Sequence, residues 1–356
     1  MLKLTTPPDS LCILRLSAIG DTCHAVPIVR ALQRVWPATR LTWVIGRVEA
    51  QLMGLLPQVE FITFDKRDSW GSLKALRAQL ASRRFDVLLH MQLSLRASLA
   101  AAMIPARLRI GFDRARAREL QWLFTNAAIA PRRNEHVLDG LQGFLDALGV
   151  PRGLPQWNLP LPDEAQRYAE QLTGNTQATL LISPCSSHSL RNWRPERYAA
   201  VARHASEVHG MRVILCGGPS EAERVMGAAI ERAAGVPLVN QIGRDTLPRM
   251  LALLARARVL LSPDSGPAHM ATMVGTPVIG LYAATRSARC GPYLSRTWCV
   301  DRYEQAARRY CGRSADQLPW TRKIERPGVM DLIEVDDVLE RFDALMCTPA
   351  TIAAHE

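Results

Sequence analysis

The sequence predicts an α/β protein built from two doubly wound, parallel sheets. Short apolar runs alternate with helix-period stretches; the alternation breaks once, in a proline-rich segment; it then restarts with the same rhythm. Such alternation is the pattern of parallel strands joined by crossover helices. In the first half, residues 11–16 read as a strand, and the small residues Ser17 to Asp21 turn out of it. Helical spacing follows at Val26, Val29, Leu32 and Val35, and Pro37 comes after it. Residues 41–45 then read as strand, 49–56 as helix, 61–64 as strand, 73–81 as helix, 86–90 as strand and 95–103 as an alanine-rich helix. A short strand at 109–112 and a helix at 136–148 close this half.

Pro151, Gly153, Pro155, Pro160 and Pro162 crowd one stretch, and prolines at that density mark a linker. Beyond it, strands at 180–183, 212–216, 236–240, 259–262 and 278–282 alternate with helices at 195–208, 220–233, 247–255 and 266–274. An amphipathic helix covers 334–346. The predicted division is a first domain at 1–160, a linker at 161–175, a second domain at 176–330, and a terminal helix and tail at 331–356.

A chain of 356 residues suits two domains of roughly 100–200 residues each. With 48% hydrophobic and 22% charged residues, it is not a disordered chain. No apolar run approaches the roughly 20 residues of a membrane span, and Arg15 interrupts the first one, so a soluble cytoplasmic protein is expected. Eight cysteines without a C-x-x-C pair predict reduced thiols. Cys290, Cys299 and Cys311 match no zinc spacing, and no metal or other cofactor is expected. The net charge of +11 implies an anionic partner: nucleic acid, a phosphorylated ligand or an acidic membrane face. A solvated arginine-rich surface is the plainer alternative. Arg107, Arg109, Arg114, Arg116, Arg118, Arg132 and Arg133 concentrate the excess in the first half. No aromatic-basic nucleic-acid module accompanies them.

Four turns at strand ends carry ligand chemistry. In Ser17-Ala18-Ile19-Gly20-Asp21, Gly20 permits close backbone approach, and Asp21 is either a helix cap or a carboxylate offered to substrate. The turn lacks G-x-G-x-x-G, which disfavours an ordinary dinucleotide site. In Ser186-Ser187-His188-Ser189-Leu190-Arg191-Asn192-Trp193, two hydroxyls and a guanidinium suit a pyrophosphate. In Gly217-Gly218-Pro219-Ser220-Glu221, the glutamate is a helix-start residue or a ribose ligand. In Asp264-Ser265-Gly266-Pro267-Ala268-His269, a helix start presents N–H groups to an anion. Asp264 would repel a phosphate, which points it to sugar hydroxyls or to bracing the turn; His269 faces the ligand or the core.

These four segments, with Gly275-Thr276-Pro277-Val278 and Gly291-Pro292-Tyr293, resemble the glycosyltransferase family 9 heptosyltransferases, from about residue 11 to 338. The Asp264–His269 motif is the most specific part. The resemblance implies a GT-B fold, two Rossmann-like halves facing across a cleft. It also implies an inverting, metal-independent transfer of heptose from ADP-heptose to the inner core of lipopolysaccharide. By the same resemblance Asp21 is the candidate catalytic base. Ser186, Ser187 and Arg191 match diphosphate positions, Glu221 a ribose position, and Asp264, Ser265, Gly266 and His269 the donor motif. Residues 242–246 fall where the adenine should lie. Lys66, Arg67, Arg118 and His136 match the acceptor side, with Arg118 and His136 in segments like those of first-heptose transferases. Lys66 and Arg67 equally suit a solvated face. An anionic lipid acceptor would give the basic cluster a destination at the cytoplasmic face of the inner membrane, without nucleic acid. The terminal helix is expected to brace the first domain. A family member using another nucleotide sugar or a protein acceptor is the enzyme alternative, and a basic nucleic-acid-binding protein the non-enzyme one.

Overall fold

The computed structural model describes residue 4 and residues 6–349, and the chain divides into two compact units, Met1–Pro160 and Leu161–Glu356. The first unit runs β1 (Ser10–Leu14), α1 (Ile19–Val35), β2 (Arg40–Gly46), α2 (Arg47–Met53), β3 (Val59–Phe64) and α3 (Ser69–Gln79). It continues with β4 (Phe85–His90), α4 (Leu95–Met103), β5 (Ala106–Gly111), β6 (Ala127–Ala128) and α5 (Val137–Leu148). The second unit opens with α6 (Asp163–Thr173), β7 (Thr179–Ile182), α7 (Pro195–Glu207), β8 (Arg212–Leu215) and α8 (Glu221–Ala234). After these come β9 (Val239–Asn240), α9 (Leu247–Arg256), β10 (Val259–Pro263), α10 (Gly266–Met273) and β11 (Val278–Tyr282). The unit closes with α11 (Ser287–Cys290), β12 (Val300–Asp301), α12 (Tyr303–Cys311) and α13 (Val335–Met346).

Each unit holds one six-stranded parallel sheet, ordered β3-β2-β1-β4-β5-β6 in the first and β12-β11-β10-β7-β8-β9 in the second. Numbered within their own units, both sheets have the order 3-2-1-4-5-6, the doubly wound arrangement. The central strands read as near-continuous apolar runs because helices cover both faces; Leu11 to Leu14 and Leu180 to Ile182 are fully buried. Leu14, Val44, Phe64 and Leu88 lie in one core of the first unit. Ile182, Tyr198, Leu215, Leu261 and Phe342 share the core of the second.

Two sequence expectations change. Residues 163–173 of the expected linker are α6, which follows Pro162 as its N-cap and packs on α9. A proline just before a helix costs it no hydrogen bond, so it announces the start rather than a break. The terminal helix, α13, lays Val338, Phe342 and Leu345 onto the core of the second unit itself. The sequence reading also omitted β6, β12 and α12; the two strands have only two residues each, too few for a period to register.

Candidate active site

In a doubly wound sheet the crevice lies beyond the strand ends where the strand order reverses. That point is β1/β4 in the first unit and β7/β10 in the second. Asp21 follows β1 at the first, and Ser186, Ser187, Arg191 and the Asp264–His269 segment follow β7 and β10 at the second.

At the first switch point, Asp21 stands in the opening turn of α1. Its Oδ2 accepts the Ala18 N–H at 3.1 Å, the capping contact, while Oδ1 pairs with Arg15 Nη2 at 2.8 Å. The carboxylate is therefore oriented from two sides, yet 41% of the side chain stays exposed. Capping and availability coexist. Arg15 is buried and also donates to the Met91 carbonyl, so the cation is held at the end of β1. Gln92, just past β4, accepts from Leu16 N at 2.6 Å and ties the two strand ends together. His90 stays neutral: burial, then Arg109 and Arg15, pull it down to about 3. Arg15 and Gln92 were not singled out from sequence as site residues.

The acceptor candidates divide. Lys66 Nζ pairs with the buried Glu49 at 2.7 Å, and Arg67 and Arg118 are exposed. His136 is buried and caps α5 through Nδ1, accepting Leu138 N at 3.1 Å, with the His24 ring edge-on at 5.3 Å. Its resemblance to an acceptor segment is thus carried by a residue that shapes the loop. The connections after β2, β3, β4 and β5, which share one edge, each expose apolar side chains: Val48 (49%), Trp70 (75%), Leu95 (46%), and Leu120, Trp122 and Leu123 (52, 41 and 58%). Exposed Arg47, Arg67, Arg96, Arg114 and Arg118 lie among them, and the Arg114 guanidinium stacks 3.9 Å over Trp122.

At the second switch point Asp264 is a hub. Its Oδ2 meets Arg191 Nη1 at 3.3 Å and Cys290 Sγ at 3.6 Å, and its carbonyl accepts the Ser186 hydroxyl at 2.7 Å. His269 Nε2 lies 4.0 Å from Oδ1. Burial, reinforced by Asp264, pushes the Cys290 thiol up, so it is an S–H donor. Trp193 anchors the Arg191 turn by donating to the Ile333 carbonyl at 3.0 Å. Arg191 is also gripped through Nε (2.9 Å) and Nη2 (2.6 Å) by Glu325, which the sequence analysis missed. Burial works to raise the Glu325 carboxyl; the hydrogen bonds and charge of Arg191, with His188 and Lys323, outweigh it and hold it below the usual range. Arg191 is thus shared between two carboxylates, and its Nη1 contact turns the Asp264 carboxylate towards the guanidinium.

Ser265 is the N-cap of α10, and its hydroxyl turns inward to Ser262 at 2.7 Å. What it and its neighbours offer a ligand is backbone: the N–H groups of Ser265, Gly266 and Ala268 at the helix start. Ser187 is exposed beside them. In the fourth turn Glu223, not Glu221, closes the loop, accepting Gly218 N at 2.7 Å and Ser220 Oγ at 2.5 Å. Glu221 is thereby left 81% exposed, with Arg224 4.0 Å away. Next to it a cavity of about 610 Å³ is lined by Arg224, Glu231, Leu238, Asn240, Ile242 and Arg244, which includes residues of the expected adenine stretch. Cys290 meets Asp264 whereas the Cys299 thiol donates to the Ser295 carbonyl, and among the described residues the three cysteines form no metal-sized group.

The model of the family "Glycosyltransferase family 9 (heptosyltransferase)" matches residues 73–316. The lipopolysaccharide core heptosyltransferase OpsX of Haemophilus influenzae is 39% identical over 341 residues, 96% of this chain and 98% of that protein. Among solved structures, the glycosyl transferase family 9 protein of Veillonella parvula DSM 2008 has a TM-score of 0.77 at 20% identity, covering 95% of this chain and 97% of its own. E. coli heptosyltransferase WaaC with ADP-2-deoxy-2-fluoro heptose has a TM-score of 0.65 at 21% identity, covering 78% and 90%. The chain belongs to glycosyltransferase family 9, the heptosyltransferases, and is a glycosyltransferase of the GT-B fold.

Proposed function

We propose that the protein transfers heptose from ADP-heptose to an inner-core sugar of lipopolysaccharide, of the Kdo-lipid A type, with inversion and without a metal ion. The observation that carries this reading is the Arg191–Asp264 turn set against the start of α10, in a chain aligned almost end to end with a lipopolysaccharide core heptosyltransferase. In the reaction an acceptor hydroxyl oxygen attacks the anomeric carbon, the bond to the diphosphate oxygen breaks, and ADP departs. Asp21 takes the hydroxyl proton. The Arg15 contact fixes which oxygen faces the acceptor. An aspartate is a weak base towards a free alcohol, so proton transfer occurs late, when the attacking oxygen is already acidic. The departing diphosphate is stabilised by the remaining N–H groups of Arg191 and the backbone N–H groups at the start of α10, with Ser186 and Ser187 beside them. Glu221 takes the ribose hydroxyls, Asp264 and His269 orient the sugar, and the cavity beside Glu221 takes the adenine. E. coli WaaC, solved with a fluorinated ADP-heptose, supports the choice of donor.

Lys66, Arg67, Arg118 and the loop shaped by His136 meet the acceptor. Its lipid keeps it in an anionic leaflet, where each nearby Lys or Arg is worth about 1 kcal/mol. The exposed tryptophans and leucines among the arginines of that edge suit a peripheral contact with the cytoplasmic face of the membrane. Among the described residues no helix is long and apolar enough to span it. The direct test is incubation with ADP-heptose and truncated lipid acceptors, following ADP release and acceptor mass. One heptose is expected on the acceptor for each ADP released. ADP released without any acceptor gain, or transfer only from another nucleotide sugar, contradicts the reading.

The membrane contact is tested separately by sedimentation with phosphatidylglycerol vesicles. The double substitution Trp70→Ala with Trp122→Ala is expected to weaken binding by roughly tenfold or more, since large aromatic areas leave the interface. Raised salt is expected to weaken the wild type too. Unchanged binding of the double variant at every salt concentration places the contact elsewhere.

A further inference from the structure

Three ligand-type side chains from three segments meet on the second unit, at the edge where its strands begin. His204 comes from the last turn of α7, His209 from the short connection into β8, and Asp343 from α13. Both imidazole Nε2 atoms lie 2.7 Å from the same oxygen, Asp343 Oδ1. All three ligand atoms lie within 4.8 Å of one another. The rings are held in place: His204 and His209 stand edge to face at 5.3 Å, and Phe342 packs against them at 6.2 and 5.4 Å. Side-chain exposures of 20, 23 and 46% leave the cluster backed by protein on one side and open to solvent on the other.

We propose that His204, His209 and Asp343 form a structural site for one divalent transition ion of the zinc type, which fastens α13 to the corner between α7 and β8. Two imidazoles and a carboxylate suit zinc and its first-row neighbours, whereas calcium and magnesium prefer oxygen throughout. The geometry needs little change. Ligands at about 2.0–2.2 Å from a tetrahedral ion stand about 3.3 Å apart, so each Nε2–Oδ1 separation of 2.7 Å widens by roughly half an ångström as the ion takes the place of the Nε2 protons. The solvent side supplies the fourth position, a water molecule. Phe342, next to Asp343 in sequence, already belongs to the core of the unit, and Arg258 holds the C-terminal end of α13 by donating to the Leu345 and Thr348 carbonyls. An ion at the triad adds a second tie, between helix and sheet corner.

The position separates this site from the reaction. The donor turns follow the carboxyl ends of β7, β8 and β10, while the triad lies at the opposite edge, beside the start of β8. The proposal therefore stands whether or not the donor assignment above is right, and its readout does not use transfer.

The experiment takes the full chain, stripped with a chelator and dialysed, and titrates zinc by calorimetry and cobalt by visible absorption. Binding of one zinc per chain is expected, with a visible cobalt band of the low-coordinate type and a melting temperature raised by a few degrees. His209→Gln and Asp343→Asn, each melting within a few degrees of the stripped wild type, are expected to lose the stoichiometric binding, the band and the shift. Absence of stoichiometric zinc binding in the wild type overturns the proposal, and so does a shift that persists in both variants.

Discussion

Asp21→Asn is expected to bind the ADP-sugar as the wild type does and to transfer heptose at least 100-fold more slowly. General-base groups contribute about 10²–10⁴-fold to rate. Asparagine is the informative replacement because its side-chain oxygen can still accept the Ala18 N–H and so keep the start of α1. What it removes is the basic oxygen and the charge facing Arg15. Arg15 keeps its bond to the Met91 carbonyl, so the strand end is not set loose. Rate by ADP release, donor affinity by calorimetry and melting temperature together isolate the chemical step. Transfer within a few-fold of wild type by this variant moves the base to another residue.

Arg191→Ala is expected to lose both rate and stability. The removal of one donor to developing charge typically costs about 100–1000-fold, roughly 2.7–4 kcal/mol. Breaking a buried pair from one side costs up to about 3–5 kcal/mol, and here Asp264 (13% exposed) and Glu325 (23% exposed) would face each other without their shared cation. Arg191→Lys keeps the charge without the planar fork that reaches both carboxylates, so it should fall between alanine and wild type. Glu325→Gln separates the two effects: it leaves Arg191 one anionic partner and should melt near wild type. A folded Arg191→Ala protein with wild-type turnover removes the guanidinium from the donor site.

Legibility followed sequence distance. The central strands were readable because each is an unbroken apolar run between turn residues, as at β1, β7 and β10. Ser186, Arg191, Asp264 and Asp21 stand out as candidates in sequence because each falls in the turn that follows such a strand, where ligands gather. Glu325 was not, because its tie to Arg191 spans 134 residues and no local spacing announces it. Residue type alone does not assign atoms. Glu221 and Glu223 are both glutamates at one helix start, and only coordinates tell which closes the turn. The Ser265 hydroxyl, the obvious ligand atom, is spent on Ser262. His204 and His209 passed unremarked for the same reason as Glu325, since Asp343 lies far along the chain. Proline density reads alike before a helix and within a loop, so the prolines before α6 do not by themselves tell a helix start from a linker.

The most direct measurement is a calorimetric titration of ADP into the wild-type chain, Asp21→Asn and Arg191→Ala. If the Arg191–Asp264 turn and the start of α10 form the nucleotide diphosphate site, ADP occupies one site per chain with equal affinity in the wild type and Asp21→Asn. A folded Arg191→Ala chain then binds it at least tenfold more weakly. A wild type that ignores ADP, or a folded Arg191→Ala chain that binds it undiminished, leaves the sugar donor without its anchor.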